Sequence, residues 1–460
     1  MRRRHLALVV AAIGLFIVAL NARDQADATL VLEDVTVIDG TGAPPRPGTT
    51  IVVRGDRIAD MFPTGSRAVP SGARRLATAG RYVIPGLIDS HVHLATTERP
   101  QALVEALLRA TLLGGVTTVR DMGGSGPVLA RLREAARDPA ALSPDIHVAA
   151  VFAGPTAFWF IGDARVPYFN GGLLPGTAPW LVKVDETTNL RERVAAAKAW
   201  GAAGIKIHSD LTRSQVEAIA SEARRQRLPV WSHATVGPAV PRDAVDARVV
   251  SISHADALVW QGRPSVPPLL FGRPAGMPDA IEQVPFDSAP VRDLLARMRS
   301  RNVLLEPTLY IGVEAASFAG DDRPRYDRQA AWAAAVTDLA HETGVAILAG
   351  TDAVGGSSPN LHVELQLLVE RAGLSPLEAI RAATFNAARA LGLAGEIGSI
   401  AVGRRADLVV LDGNPADDIR NTQTIRAVVR RGVVFERTEP MPVPPLGSPP
   451  PVDAARPPAP

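Results

Sequence analysis

Between residues 82 and 353 the chain returns eight times to one pattern. The runs YVIPGLIDSHVHL (82–94), VTTVRDMG (116–123), DIHVAAVFAG (145–154), GIKIHSD (204–210), LPVWSHA (228–234), VVSISHADAL (249–258), NVLLEPTLY (302–310) and VAILAGTDA (345–353) are short, apolar and bounded by polar or Gly/Pro punctuation. Such runs read as buried strands. Helical patterns separate them, as in TRSQVEAIASEARRQR (212–227) and HVELQLLVERAG (362–373). Eight βα alternations in one chain fit an α/β fold, a (β/α)8 TIM-like barrel. Two connections are too long to be plain. Residues 155–181 carry Phe158, Trp159, Phe160, Tyr168, Phe169 and Trp180, and residues 259–288 are rich in Pro and Gly. Loops of this length are expected to be lids or binding walls.

The flanks differ from the barrel. LVLEDVTVID and TIVVRGDRIADMF near the start, and GRRADLVVLDG and TIRAVVRRGVVFER near the end, are β-branched segments of similar texture. Residues 1–28 join a cationic MRRRH to the apolar run LALVVAAIGLFIVAL and the Ala26-Asp27-Ala28 cleavage pattern. This reads as an export signal, since the apolar run is short for a membrane span of about 20 residues; an uncleaved anchor is the alternative. The expected location is exported, periplasmic or secreted. From Thr438 onward proline dominates, and a disordered or PPII tail is expected.

Without residues 1–28 the chain holds 45 basic and 45 acidic residues, so nothing favours nucleic acid or an anionic membrane surface as partner. There is no cysteine, which excludes thiolate metal sites and suits an oxidising compartment. No nucleophile elbow, dinucleotide fingerprint or Walker loop is present; DMGGSG (121–126) lacks the Lys-Ser/Thr that a phosphate loop needs.

What remains is a set of ionisable residues at the carboxyl ends of the proposed strands, where barrel active sites lie. His91 and His93 end the first, Lys206 and His208 the fourth, His233 the fifth, His254 the sixth and Asp352 the eighth. His91 and His93 face the same way with about 6.5 Å of rise between them, so both imidazoles can share one cation. Lys206 is one of three lysines against 46 arginines, the others being Lys183 and Lys198. In so arginine-biased a chain, a lysine at a strand end asks for a reason beyond charge. A plain strand-end lysine paired with Asp352 or a substrate carboxylate is the simpler account.

PGLIDSHVHL, Lys206, the two SHA triplets around His233 and His254, and AGTDA around Asp352, in that order, resemble the amidohydrolase superfamily of metal-dependent hydrolases. The imidazolonepropionase-like and Xaa-Pro dipeptidase-like branches are nearest, and the resemblance spans roughly residues 30–437. It implies a small β-sandwich built from both chain termini, with parts at 29–81 and 395–437 around a barrel at 82–394. It also implies two divalent cations: one held by His91, His93, Asp352 and a carbamate on Lys206, the other by that carbamate, His233 and His254. Nitrogen and oxygen donors suit Zn2+, with Mn2+, Co2+ or Fe2+ as alternatives. A lysine amine can add CO2 to give an anionic bridging carbamate; an arginine, always protonated, cannot.

The implied activity is hydrolysis of an amide bond by a metal-bridged hydroxide, with Asp352 as catalytic proton shuttle. Export, aromatic loop residues and the dipeptidase-like pattern point to dipeptides or N-acyl amino acids. Opening of a cyclic amide or lactone is the alternative on the same site, and a catalytically silent exported binding protein is the alternative of another class. The expected partner is a small molecule or short peptide, with a homo-oligomer possible and no membrane after signal cleavage. His208 is expected to face substrate or support a ligand. Arg120 and Tyr310 could reach a substrate carboxylate, although Arg120 could equally pair with Asp121 or Asp89, and Tyr310 could be core. His362 could touch substrate or cap a helix, while His147 and His341 read as ordinary.

Overall fold

The computed structural model describes residues 29–158, 168–267, 269–270, 273–274, 276–357 and 360–437. The expected leader, the proline-rich tail, and Trp159 and Phe160 of the first long connection lie outside these residues.

Strands β1 (Thr29–Val37), β2 (Arg46–Arg54), β3 (Arg57–Pro63), β4 (Arg74–Leu76) and β5 (Tyr82–Pro85) precede the barrel. The barrel half that follows runs β6 (Leu87–His93), α1 (Gln101–Leu113), β7 (Val116–Asp121), α2 (Gly126–Ala135), β8 (Asp145–Ala153), the short pair β9 (Thr177–Ala178) and β10 (Leu181–Lys183), α3 (Leu190–Trp200) and β11 (Gly204–Ile207). Next come α4 (Arg213–Arg225), β12 (Val230–His233), α5 (Pro241–Asp246), β13 (Ser251–Ser253), the hairpin β14 (Leu269–Leu270) and β15 (Arg273–Pro274), α6 (Met277–Gln283), α7 (Ala289–Arg301) and β16 (Leu304–Glu306). The chain ends with α8 (Leu309–Phe318), α9 (Arg323–Thr343), β17 (Ala353–Val354), α10 (Asn360–Glu370), α11 (Pro376–Ala382), α12 (Phe385–Ala390), β18 (Leu408–Leu411), β19 (Ile425–Arg430) and β20 (Val433–Glu436).

The expected α/β barrel is present. Its strands run β6-β7-β8-β11-β12-β13-β16, all parallel, each a short apolar run whose side chains are buried on both faces. The eighth segment is less regular than its VAILAG sequence suggests. Leu305 and Ile347 form a single bridge, with Leu348 N donating to Leu305 O at 2.8 Å. On the other side Ser90 N donates to Ala349 O at 3.0 Å and Asp352 N to His91 O at 2.8 Å. The eighth segment therefore closes the ring through a single bridge to β16 and, on the other side, through the two-residue parallel ladder of β17 with β6.

The terminal segments form one sheet, ordered β20-β19-β18-β5-β1-β2-β3 with β4 beside β1. The expected second domain from both chain termini is thus present, its strands hydrogen-bonded in one series. The sheet curls until Ile58 of β3 exchanges backbone bonds with Gly403 and Arg404, just before β18. Leu32, Ile51, Val53, Val83, Leu408, Val410 and Val429 thus share one apolar core. The run YVIP, expected to open the barrel, belongs here: Tyr82–Pro85 pairs with β18 and β1. The chain crosses into the barrel at Gly86, where a Cβ would lie 2.1 Å from Thr117 Oγ1, so only glycine passes. At the amino end of β8, Asp145 ties this sheet to the barrel through Arg405 at 2.8 Å and Arg431 at 3.0 Å. Burial would raise the Asp145 carboxyl, but Arg405, Arg430 and Arg431 bring it below its ordinary value.

Candidate active site

β6 delivers the first two imidazoles. His91 is buried and His93 partly open, and alternation along the strand sends both to the mouth. Each ring is fixed by its outer nitrogen. His91 Nδ1–H donates to the Glu306 carboxylate, and His93 Nδ1–H donates to Gly123 O at 2.8 Å. Both outer partners are acceptors, which assigns the tautomer: each Nε2 presents a lone pair inward. These two Nε2 atoms lie 3.3 and 3.1 Å from Asp352 Oδ1. His91 Nε2 is buried and has no hydrogen-bond partner. Three acceptor atoms, one of them on an anionic carboxylate, thus converge within 4.8 Å of one another. Such a donor set fits a divalent cation, which would satisfy all three at once.

The remaining ligand candidates lie beside this group. His254, at the end of β13, sets Nδ1 2.9 Å from Thr308 Oγ1 and 3.9 Å from Asp352 Oδ2. Its ring centre is 5.2 Å from that of His91 and 4.9 Å from that of His233. Lys206, only 1% exposed on β11, donates from Nζ to Ser253 Oγ at 3.1 Å. The backbone here is held in unusual geometry: His254, Thr308 and Asp352 all have positive φ (75°, 52° and 58°). Non-glycine residues reach that region only where surrounding bonds over-determine it.

Charge reinforces the arrangement. Burial, then Lys206 and the neighbouring imidazoles, press His233 well below the ordinary histidine value, keeping its ring neutral. Burial would raise Asp352, yet His91, His93 and His254 together hold it far below the usual carboxylate range. Asp121 is pushed up to about 6 by burial, against His93 and the N–H groups of Leu94 and Gly123. By gripping Gly123 N at 3.0 Å it fixes the turn whose carbonyl holds His93.

The amidohydrolase family model matches residues 82–435, from β5 into β20. The chain belongs to the amidohydrolase family. As an amidohydrolase it is a hydrolytic enzyme acting on amide bonds, as the resemblance implied. It is 25% identical to the ochratoxinase of Aspergillus niger, over 89% of this chain and 86% of that protein. A crystal structure of a putative prolidase from Bifidobacterium longum is 26% identical and superposes with a TM-score of 0.67, over 91% of this chain and 97% of that one. A Xaa-Pro dipeptidase with bound methionine, 24% identical, shares the fold with a TM-score of 0.70, over 89% of this chain and all (100%) of the other.

Within this amidohydrolase, His91, His93, His233, His254 and Asp352 lie against one another, with Lys206 on the neighbouring β11. His208 packs beside them, its ring centre 4.3 Å from that of His233 and its Nδ1 2.7 Å from Ser209 Oγ. Tyr310 gives its hydroxyl to Glu314 at 3.0 Å, and burial and that carboxylate push its pKa up. Arg120 is a correction. Instead of reaching a substrate carboxylate, it is fully buried and its guanidinium is bonded to Glu306 and to Ser90 O, with Asp89 a further attractive charge. His362 is a second correction: it donates from Nε2 to Gly114 O at 2.9 Å and contacts Thr422 at 3.0 Å, joining barrel to terminal sheet.

Sequence reasoning missed Glu306, Thr308, Asp89, Asp121 and Glu364. One signal was available for Glu306. It ends an apolar strand, the same register at which the ligand candidates occur. Asp89 is buried under the site, where it accepts from Thr351 and Ser357 hydroxyls at 2.8 and 2.6 Å, and burial pushes it up to about 6.

Proposed function

We propose that this amidohydrolase is an exported dinuclear hydrolase of dipeptides or N-acyl amino acids. The observation that carries the metal assignment is the convergence of His91 Nε2, His93 Nε2 and Asp352 Oδ1 with both outer nitrogens already committed. Those three residues would hold the first cation, His233 and His254 the second, and Lys206 would bridge them. For the bridge, the neutral Lys206 amine adds CO2 and releases a proton, leaving a carbamate with two oxygens. Burial at 1% exposure favours the neutral amine that reacts. When bound, the cations supply Lewis acidity to a water and to the scissile carbonyl.

The protein's own groups do the rest. Asp352, with Oδ1 against His91 and His93 and Oδ2 toward His254, is poised to take the proton of the attacking water and give it to the leaving amine. Amide nitrogen leaves poorly until protonated, so this transfer is required for turnover. His208, beside His233, is available to the substrate. Export is supported by the leader-like residues 1–28, and the substrate class by relatives named an ochratoxinase and a putative prolidase.

The test is amine release by the purified protein, loaded with Zn2+ and bicarbonate, across a library of dipeptides and N-acyl amino acids. A cluster of hydrolysed compounds sharing one C-terminal residue is the expected result. Silence across the library, with turnover of cyclic amides or lactones, would overturn the substrate class while leaving the metal site standing.

A further inference from the structure

We propose that Glu306 and Arg120 form a positioning couple that sets the orientation and tautomer of His91, and through it the affinity of the first divalent cation. The proposal rests on His91 being a ligand. Glu306 is completely buried at the end of β16 and divides its carboxylate, Oε1 to His91 Nδ1 and Oε2 to the Arg120 guanidinium. Arg120, on β7, is itself anchored twice. Its Nε donates to Ser90 O at 2.6 Å, the residue just before His91, and its guanidinium carbon lies 4.6 Å from the Trp231 ring centre. Trp231 in turn donates from Nε1 to Ala390 O at 2.9 Å.

The packing around the couple makes room for it. Gly350, on the eighth segment, faces the junction so closely that a Cβ there would lie 3.0 Å from His91 Cβ and 3.1 Å from Glu306 Cγ. Four barrel segments therefore converge on one carboxylate. A neutral acceptor could take the His91 proton, but it would not balance a fully buried guanidinium. The lone acidic residue of β16 does both. A carboxylate behind a metal-ligating imidazole raises its basicity and removes the alternative tautomer, in which Nε2–H would point at the cation.

The test compares wild type with Glu306→Gln, with the charge-neutral double variant Arg120→Met/Glu306→Gln, and with Gly350→Ala. Metal-free protein is titrated with Co2+ against a chromogenic chelator, the visible spectrum of the bound Co2+ is recorded, and the metal-free Tm is measured. The single Glu306→Gln strands a buried Arg120 and is expected to lose stability. The double variant removes both charges and is expected to recover Tm while binding the first Co2+ about 10- to 100-fold more weakly, with an altered spectrum. Gly350→Ala, which changes no charge, is expected to weaken binding in the same direction. A folded double variant with wild-type affinity and spectrum would overturn the proposal and reduce the couple to a fold element. Wild type that binds no divalent cation would instead overturn the metal assignment of the cleft.

Discussion

Arginine would carry the charge of Lys206 equally well, and the chain uses it 46 times against three lysines. What arginine cannot do is shed its proton and add CO2. Lys206→Arg is therefore more telling than an alanine substitution, because it keeps a long cation at the strand end. It is expected to bind one cation per chain where wild type is expected to bind two, measured by elemental analysis after loading with Zn2+ and bicarbonate. Turnover should fall at least ~10²-fold if the bridge is needed to activate the water. Two cations per chain in the variant would sink the carbamate. The convergence of His91, His93 and Asp352 was legible because each ends an apolar run and so had one place to go. The supports were not. Glu306 meets His91 across 215 positions of sequence, and nothing in NVLLEPTLY says which way its carboxylate turns. Arg120 misled for the same reason: at a strand end beside a cleft, a side chain can reach out to substrate or fold back under the ligands.

Among the elements, α8 depends on its neighbour for its start. Thr308 begins it with positive φ and offers no side-chain cap; Glu364 of α10 supplies one from outside, accepting from Leu309 N at 3.2 Å and Tyr310 N at 2.7 Å. Burial is the larger effect on that carboxyl, and it pushes the pKa up to about 8 against those two N–H groups. A carboxyl raised in the folded state binds a proton there that the unfolded chain has already released. Its stabilising contribution is full below the ordinary value near 4.5 and is lost as pH climbs toward about 8. The slope for one such group is about 1.4 kcal/mol per pH unit at most. Metal-free wild type should thus lose Tm between pH 5 and 8 more steeply than Glu364→Gln does, by thermal melts at constant ionic strength. Parallel curves would mean that Glu364 is ionised throughout. Strands, too, were only partly legible at this scale. Periodicity located YVIP as a strand but could not say which sheet it joins; the crossing is decided by the close approach of Gly86 to Thr117, a contact between distant segments.

For the molecule as a whole, the weak point is the seam. Seven strands are laddered to their neighbours along their length, whereas the eighth segment meets β16 through the single Leu305–Ile347 bridge and β6 through the two-residue β17 ladder, with Asp352 N donating to His91 O beside it. Asp352 sits on that seam, and the imidazoles it faces belong to β6 across it. A cation shared by His91, His93 and Asp352 would therefore join the first strand to the eighth, where the backbone ladder is only two residues long. Opening the seam would release the cation, so bound metal should suppress this motion in particular. By linkage, a cation held 100-fold above its Kd disfavours such an opening about 100-fold. Stripping the protein with chelator is accordingly expected to speed amide exchange at Leu348, Asp352 and Gly355 by about that factor. Amides in the β11 and β12 ladders, which can stay paired while the seam opens, should change far less. Uniform acceleration over the whole barrel would show instead that the cation stabilises the fold globally, and no change at all would place it outside the seam.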